Sequence, residues 1–281
     1  VVVKSLMKKA ELALKEARFS GKNQIKYYSD DLEIIQHFNE VKEWAPKLQN
    51  GNYIAHYQPI YNLKTNEIDK YELLMRLEHD GEVYAPLKFL SAAKESGQIY
   101  NIFQFMFQEA CRQASKSTNR FSVNIGDHEF KNNNILNYIK DTIELYDVNP
   151  NQLSLEILEY NSIDHEGEII ETINKIHDMG IEIVVDDFGI ECSNFGQIKH
   201  LPIDVIKIDG SFIKDLPTSL DSQIIVKTIK TFAKEKGIKL VAEFVWSKEV
   251  LEIVKMYDLD FAQGFYLGKP SASIDSIERD I

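Results

Sequence analysis

After Gly51 the sequence settles into an alternation that few folds can satisfy: short apolar or alternating runs of strand length, separated by longer stretches of helical periodicity. Strand-like runs fall near 53–61, 68–76, 121–125, 153–157, 181–186, 204–209, 238–243 and 261–266. Helical patterns lie near 86–96, 99–116, 134–146, 164–179, 220–237 and 247–257, with a shorter one near 193–200. Strands that alternate with helices pair in parallel, because each crossover helix returns the chain to the same end of the sheet. Eight such units predict an α/β fold, a (β/α)8 TIM-like barrel. The competing doubly wound sheet expects a glycine-rich phosphate turn after its first strand, and none follows 53–61.

The first fifty residues read differently. Leu6, Ala10, Ala13, Leu14 and Ala17 repeat with a helical period and Gly21 is a stop, after which Gln24 to Tyr28 has the look of a short strand. Ile34, Ile35, Phe38, Val41, Trp44, Ala45 and Leu48 mark a second amphipathic helix, a linker into the main domain. This stretch is too short to bury a core of its own, and the chain begins at Val1 rather than Met, so the expectation is a piece of a longer protein. No apolar run approaches the roughly 18 residues that span a bilayer, and no secretory signal pattern opens the chain. Cys111 and Cys192 are too few for a disulfide framework and too far apart for a zinc knuckle. A cytoplasmic fragment without membrane contact is expected. The net charge of −12 argues against binding a nucleic-acid polymer, and an anionic small ligand needs local cations or metal.

In a parallel barrel, chemistry sits at the C-terminal ends of the strands. The run IEIVVDDFG, Ile181 to Gly189, delivers Asp186 and Asp187 there. Taken alone, an Asp before Gly closes many strands as a simple turn. The other strands end in kindred groups. Glu72 shares a strand face with Leu74 and Arg76, Asn124 sits in FSVNI, and Glu156 sits in LSLEI with Glu159 a turn later. Lys207 and Asp209 share a face of VIKID, Glu243 ends KLVAE, and Gln263 lies in AQGFY. Each has a bland explanation singly: a surface ion pair, a strand-end cap, a structural pair.

Together, Glu72, Glu156, Asp186, Asp187 and Glu243 crowd one barrel mouth and repel unless cations neutralise them. Oxygen ligands with one Asn amide and no paired His or Cys favour Mg²⁺ or Mn²⁺ over zinc. Adjacent aspartates allow one to bridge a second ion, and two metals are a common device for in-line attack on a phosphodiester. Lys207 could then orient or deprotonate the attacking water, and Arg76 could hold a phosphate by its planar donor fork.

These residues resemble the EAL-domain cyclic-di-GMP phosphodiesterases of bacteria over about residues 50 to 272, with motifs in family order: YELLMR at 71–76, VNI at 123–125, LEILE at 155–159, VVDDFG at 184–189, LPIDVIKID at 201–209, VAE at 241–243 and QGFYLGKP at 263–270. The resemblance implies that Glu72, Asn124, Glu156 and Asp186 hold a first metal and that Asp186 and Asp187 serve a second. It implies that Lys207 and Glu243 act on the attacking water, that Arg76 contacts phosphate, and that Gln58 and Gln263 are substrate-side polar contacts. Glu159 would steady the loop after the strand that carries the aspartates. The implied reaction is hydrolysis of cyclic di-GMP to linear pGpG. The implied fold is a modified barrel whose first strand runs antiparallel, commonly dimeric, so a homodimer is expected. The segment LMKKAELALKEARFSGKNQIKYY resembles the last helix and strand of a GGDEF domain, which divides the chain into a GGDEF-like remnant at 1–30, a linker helix at 31–50 and the barrel domain at 51–281.

Three departures stand out. Leu73 replaces the alanine of the family's E-A-L. Where the family has DFGTGYSSL, this chain has Ile190, Glu191 and Cys192 after Gly189, so Ile190 loses a hydroxyl and Glu191 replaces a glycine. After Glu243 the family's G-V-E becomes Phe244-Val245-Trp246. These changes leave open a degenerate barrel that binds cyclic di-GMP as a receptor or only docks a partner. An unrelated metal-using barrel, such as an enolate-forming enzyme, is the third reading.

Overall fold

The computed structural model describes residues 33–158, 167–189 and 201–277, with Ile25–Ser29 and scattered positions between Met7 and Ala17. The contacts divide it into two units, Val1–Asn52 with Leu77–Ile99, and Tyr53–Arg76 with Tyr100–Ile281.

The larger unit holds the barrel. Its strands are β1 (Asn52–Asn62), β2 (Glu67–His79, of which the part to Arg76 belongs here), β4 (Arg120–Ile125), β5 (Leu153–Leu158), β6 (Glu182–Phe188), β7 (Val205–Ile208), β8 (Lys239–Ala242) and β9 (Phe261–Ala262). The ladder runs β1-β9-β8-β7-β6-β5-β4-β2 and closes by pairing β1 with β2. All pairings from β2 through β4 to β9 are parallel, whereas β1 meets β9 antiparallel, with Tyr61 opposite Ala262. This is an α/β barrel with one reversed strand, as expected. Between the strands run helices Ile99–Ala114, Ile135–Tyr146, Gly167–Asp178, Leu220–Lys236 and Lys248–Met256.

The two-residue period of a strand builds the interior in layers. Ile60, Val184, Val205, Val241 and Phe261 form a buried apolar cluster. In all but β1, which runs the other way, the residue two positions further on is polar: Asp186, Lys207, Glu243 and Gln263. In reversed β1 the corresponding residue is Gln58, two positions earlier. The apolar layer is therefore the floor on which a polar layer is set.

At the opposite ends of the strands an ion network ties four strands together. Buried Lys70 pairs with Glu182 and donates to Ser154 Oγ at 3.3 Å. Arg120 bridges Asp69 and Glu182, 2.9 Å to each. These charges hold Glu182 down to about 2: burial pushes its carboxyl up, but Lys70 and Arg120 outweigh it.

In the smaller unit, the helix Glu33–Asn50 buries Trp44 and Leu48 and packs on the short helix Leu90–Glu95. The Trp44 ring meets Tyr84 edge-on at 4.9 Å and Phe89 at 6.0 Å, and Lys47 Nζ lies 4.3 Å over it. Tyr84 belongs to β3 (Glu82–Tyr84), paired antiparallel with the Leu77–His79 end of β2.

Several expectations are corrected. Ile25–Tyr28 form no strand, and Ile25 and Tyr27 are exposed, so that alternation has no buried face. The run 261–266 is a strand only at Phe261–Ala262, because Gly264 starts a turn in which the N–H groups of Leu267 and Gly268 both bond its carbonyl. β3 and the helices Asp127–Phe130 and Gly210–Lys214 were not expected, being too short to show a period. The helix expected at 193–200 lies outside the described residues. No described helix is long and apolar enough to cross a membrane.

Candidate active site

The polar layer gathers around one ammonium. Lys207 is 1% exposed, and its Nζ lies 3.2 Å from Glu72 Oε2, 2.9 Å from Glu156 Oε2, 3.0 Å from Asp186 Oδ1 and 2.9 Å from Glu243 Oε1. Glu72 comes from β2, Glu156 from β5, Asp186 from β6 and Lys207 from β7, and Glu243 directly follows β8, so closure of the barrel brings together residues up to 171 positions apart, Glu72 to Glu243. Asn124 Nδ2 donates to Glu72 Oε1 at 3.1 Å, and Gln263 Nε2 donates to Glu72 Oε2 at 2.7 Å. Glu72 is thus held by three donors, from β4, from β7 and from the residue that follows β9.

Asp187 reaches the same place by a local irregularity. In a regular strand adjacent side chains point to opposite faces, and Asp187 would leave the site. Here the β6–β7 register shifts between Val185 and Phe188, and Asp187 takes a left-handed backbone, φ 54°. One carboxylate oxygen from each of Asp186, Asp187 and Glu243 then lies within 4.8 Å of the other two. Gly189, φ 112°, completes the turn where a Cβ would meet the Phe212 ring at 2.6 Å.

Five carboxylates against one ammonium leave a strong excess of negative charge. Two carboxylate charges within 4.8 Å of each other repel by at least about 3 kcal/mol at an effective dielectric of about 20. The site relieves this by holding protons. Burial, with Glu72 nearby, pushes Glu156 up to about 7, and burial with Asp186 raises Asp187 to about 6. Burial lifts Glu243 well above the carboxylate range. Glu72 goes the other way: burial opposes it, but Lys207, Gln263 and Asn124 bring it below its ordinary value. Burial also disfavours the Lys207 ammonium, yet Asp186, Glu156, Glu243 and Glu72 hold its proton far more tightly than usual.

The donor set fits a hard divalent cation. Asp186 Oδ1 is buried and, although 3.0 Å from Lys207 Nζ, has no hydrogen bond among the described residues. Gln263 Oε1 is likewise buried with no hydrogen bond among the described residues. All the candidate ligands offer oxygen, which suits Mg²⁺ or Mn²⁺. Asn124 spends its amide nitrogen on Glu72, so its amide oxygen is the atom it would offer a cation.

Two further candidates, Arg76 and Gln58, are among the described residues. Arg76 lies two residues beyond Leu74 on β2; its Nη1 donates to the Met75 carbonyl at 2.8 Å, and burial lowers its guanidinium below the ordinary value. Gln58 is buried and donates to the Gly268 carbonyl at 3.2 Å. Glu159 and the changed loop Ile190 to Phe195 lie outside the described residues. Ser122, which sequence reasoning missed, donates a short hydrogen bond to Glu156. The signal was available, since Ser122 precedes Asn124 by two and shares its strand face.

A family model described as "EAL domain" matches residues 41–270. The signaling protein YkoW of Bacillus subtilis is 29% identical over 274 residues, 94% of this chain and 34% of that protein. A protein of Borreliella burgdorferi named cyclic di-GMP phosphodiesterase PdeA is 30% identical over 244 residues, 84% of this chain and 36% of its own length. The chain thus spans about a third of the length of these curated relatives. Among solved structures, one described as "PaMucR Phosphodiesterase, c-di-GMP complex" superposes with a TM-score of 0.75 at 26% identity, covering 84% of this chain and 97% of that one.

Proposed function

The chain belongs to the EAL domain family, and from that premise we propose that it hydrolyses cyclic di-GMP to linear pGpG in a divalent-metal-dependent reaction. The observation that carries this reading is the convergence of Glu72, Glu156, Asp186 and Glu243 on Lys207, with Asp187 turned in beside them. The names borne by the relatives and the bound ligand of the solved structure support the substrate.

Glu72, Asn124, Glu156 and Asp186 would hold a first Mg²⁺ or Mn²⁺, and Asp186 and Asp187 a second. When bound, such ions acidify water and neutralise charge on phosphoryl oxygens. Lys207 keeps its proton, so it acts as a fixed positive charge and hydrogen-bond donor that orients the attacking water. Glu243, held 2.9 Å from Lys207 Nζ and within 4.8 Å of the aspartate oxygens, is the group placed to accept that water's proton once it has given up its own. Arg76 positions a substrate phosphate, and Gln58 and Gln263 border the ligand. Gln263 also fixes Glu72, which makes it a positioning residue for the metal ligand. Glu159 steadies the loop beyond Gly189.

The same reading extends to the rest of the chain: residues 1–30 as the end of a GGDEF-like domain, 31–50 as a linker helix, 51–281 as the barrel domain, and a homodimer in the cytoplasm. The receptor-only alternative draws on the loop after Gly189 and on Trp246, whereas the gathered carboxylates favour hydrolysis. Incubation with cyclic di-GMP and MnCl₂, followed by chromatography, tests it. Formation of pGpG that stops with EDTA and in Glu72→Ala supports the reading; no pGpG at high enzyme concentration overturns it.

A further inference from the structure

Next to Glu243 the chain does something that folding alone does not ask for. Phe244 has a left-handed backbone, φ 55°, which is unfavourable for a bulky residue, yet its side chain is 57% exposed and contributes little to the core. One edge of this exposed side chain is nevertheless seated against a neighbour. Gly210 leaves room for it: a Cβ there would come within 2.5 Å of Phe244 Cβ and 3.0 Å of its Cγ. The aromatic ring is therefore set against the chain that follows β7, three residues past Lys207. Val245, fully buried, anchors the segment, and Trp246 emerges again, 56% exposed. Val245 N donates to the Gln263 carbonyl at 2.9 Å, and Tyr266 N donates to the Val245 carbonyl at 3.1 Å. Gly264 permits this, since a Cβ there would sit 2.2 Å from Val245 O. Phe265 and Tyr266 are also exposed, and the Val245 bonds to Gln263 and Tyr266 tie their segment to the one that carries Phe244 and Trp246.

That edge is continuous with the candidate active site through two residues, Glu243 on Lys207 and Gln263 on Glu72. Exposed aromatic side chains suit what an acidic site cannot supply by ion pairing, namely affinity for the flat, neutral heterocycle of a nucleotide. We propose that Phe244, flanked by Trp246, is the platform on which one guanine base of the dinucleotide stacks; this rests on the substrate assigned above. The backbone strain is then the cost of presenting an exposed aromatic ring one residue from Glu243.

The test is rapid-mixing tryptophan fluorescence of the full chain with cyclic di-GMP and MgCl₂, which reads binding ahead of turnover, combined with thermal melts of each variant. Phe244→Gly relieves the left-handed backbone, so its melting temperature rises while its Kd for cyclic di-GMP weakens about tenfold or more. Phe244→Trp keeps a stacking face and binds within a fewfold of the parent. Phe244→Gly binding as tightly as the parent, or Phe244→Trp binding as weakly as Phe244→Gly, overturns the proposal. Parent binding that Phe244→Gly weakens, without any pGpG formed, would sink the hydrolysis reading and leave the stacking platform standing.

Discussion

Lys207→Met removes the ammonium from the middle of four carboxylates and keeps much of the side chain's length. At about 3 Å and an effective dielectric of about 20, each contact with an ionised carboxylate is a gross attraction of about 5 kcal/mol, offset by the cost of keeping an ammonium out of water. Taking one partner from a buried ion pair costs about 3–5 kcal/mol net, because the charge left behind has no relief. In EDTA at pH 7.5 the variant should therefore unfold roughly 10 °C below the parent, at about 2–4 °C per kcal/mol for a domain of this size. MnCl₂ should return part of the loss, since an ion at 100 times its Kd adds about 2.7 kcal/mol. Urea and thermal unfolding, with EDTA and then with MnCl₂, measure both terms, and turnover of cyclic di-GMP should be absent throughout. A variant as stable as the parent in EDTA, or one whose stability ignores Mn²⁺, would refute the idea that Lys207 is the counter-charge of a cation-hungry site.

Other consequences are checked more simply. Glu182→Gln should destabilise by about 3 kcal/mol at pH 7, the worth of a carboxyl held at about 2 against about 4.3 unfolded; the depressed value means this contribution is complete above about pH 4.3 and fades as pH falls towards 2, so parent and variant stabilities should converge there in urea titrations. Glu156 and Asp187 have raised values, so their contribution is present below about pH 4 and is lost as pH rises to about 6–7; metal-free protein should weaken over that window, and MnCl₂ should flatten the slope. Gly264→Ala forces a methyl to within 2.2–2.6 Å of the Val245 backbone; a loss of about 1–3 kcal/mol and of turnover is expected, and an unchanged melt with normal activity would contradict the packing described.

The barrel was legible because each strand needs an apolar floor and each crossover a helical period, and both patterns run through the sequence from Gly51 onward. The reversed β1 was not legible from periodicity, which carries no direction; it came from the motif resemblance. The carboxylates were found by asking what ends each strand, and Glu72, Glu156, Asp186 and Glu243 do meet on Lys207. What sequence could not give is how Asp187 joins them. Alternation sends it to the wrong face, and only the register shift at Val185/Phe188 with a left-handed backbone turns it inward. The strand expected at 261–266 failed for a related reason: the close approach of Gly264 to Val245 is a tertiary contact, invisible in local pattern. Phe244 was marked as a departure from a family glycine, but its strain and its seat over Gly210 appear only once the strands are closed.

The central claim is that strand-end carboxylates gather to hold two divalent ions over one phosphodiester. The most direct measurement is an anomalous difference map from crystals soaked with MnCl₂ and cyclic di-GMP. The account predicts two Mn²⁺ peaks about 3.5–4 Å apart, bridged by Asp186, with Glu72, Asn124 and Glu156 on one ion and Asp187 on the other. No Mn²⁺ among these residues, or a ligand seated with its phosphate away from them, would contradict it.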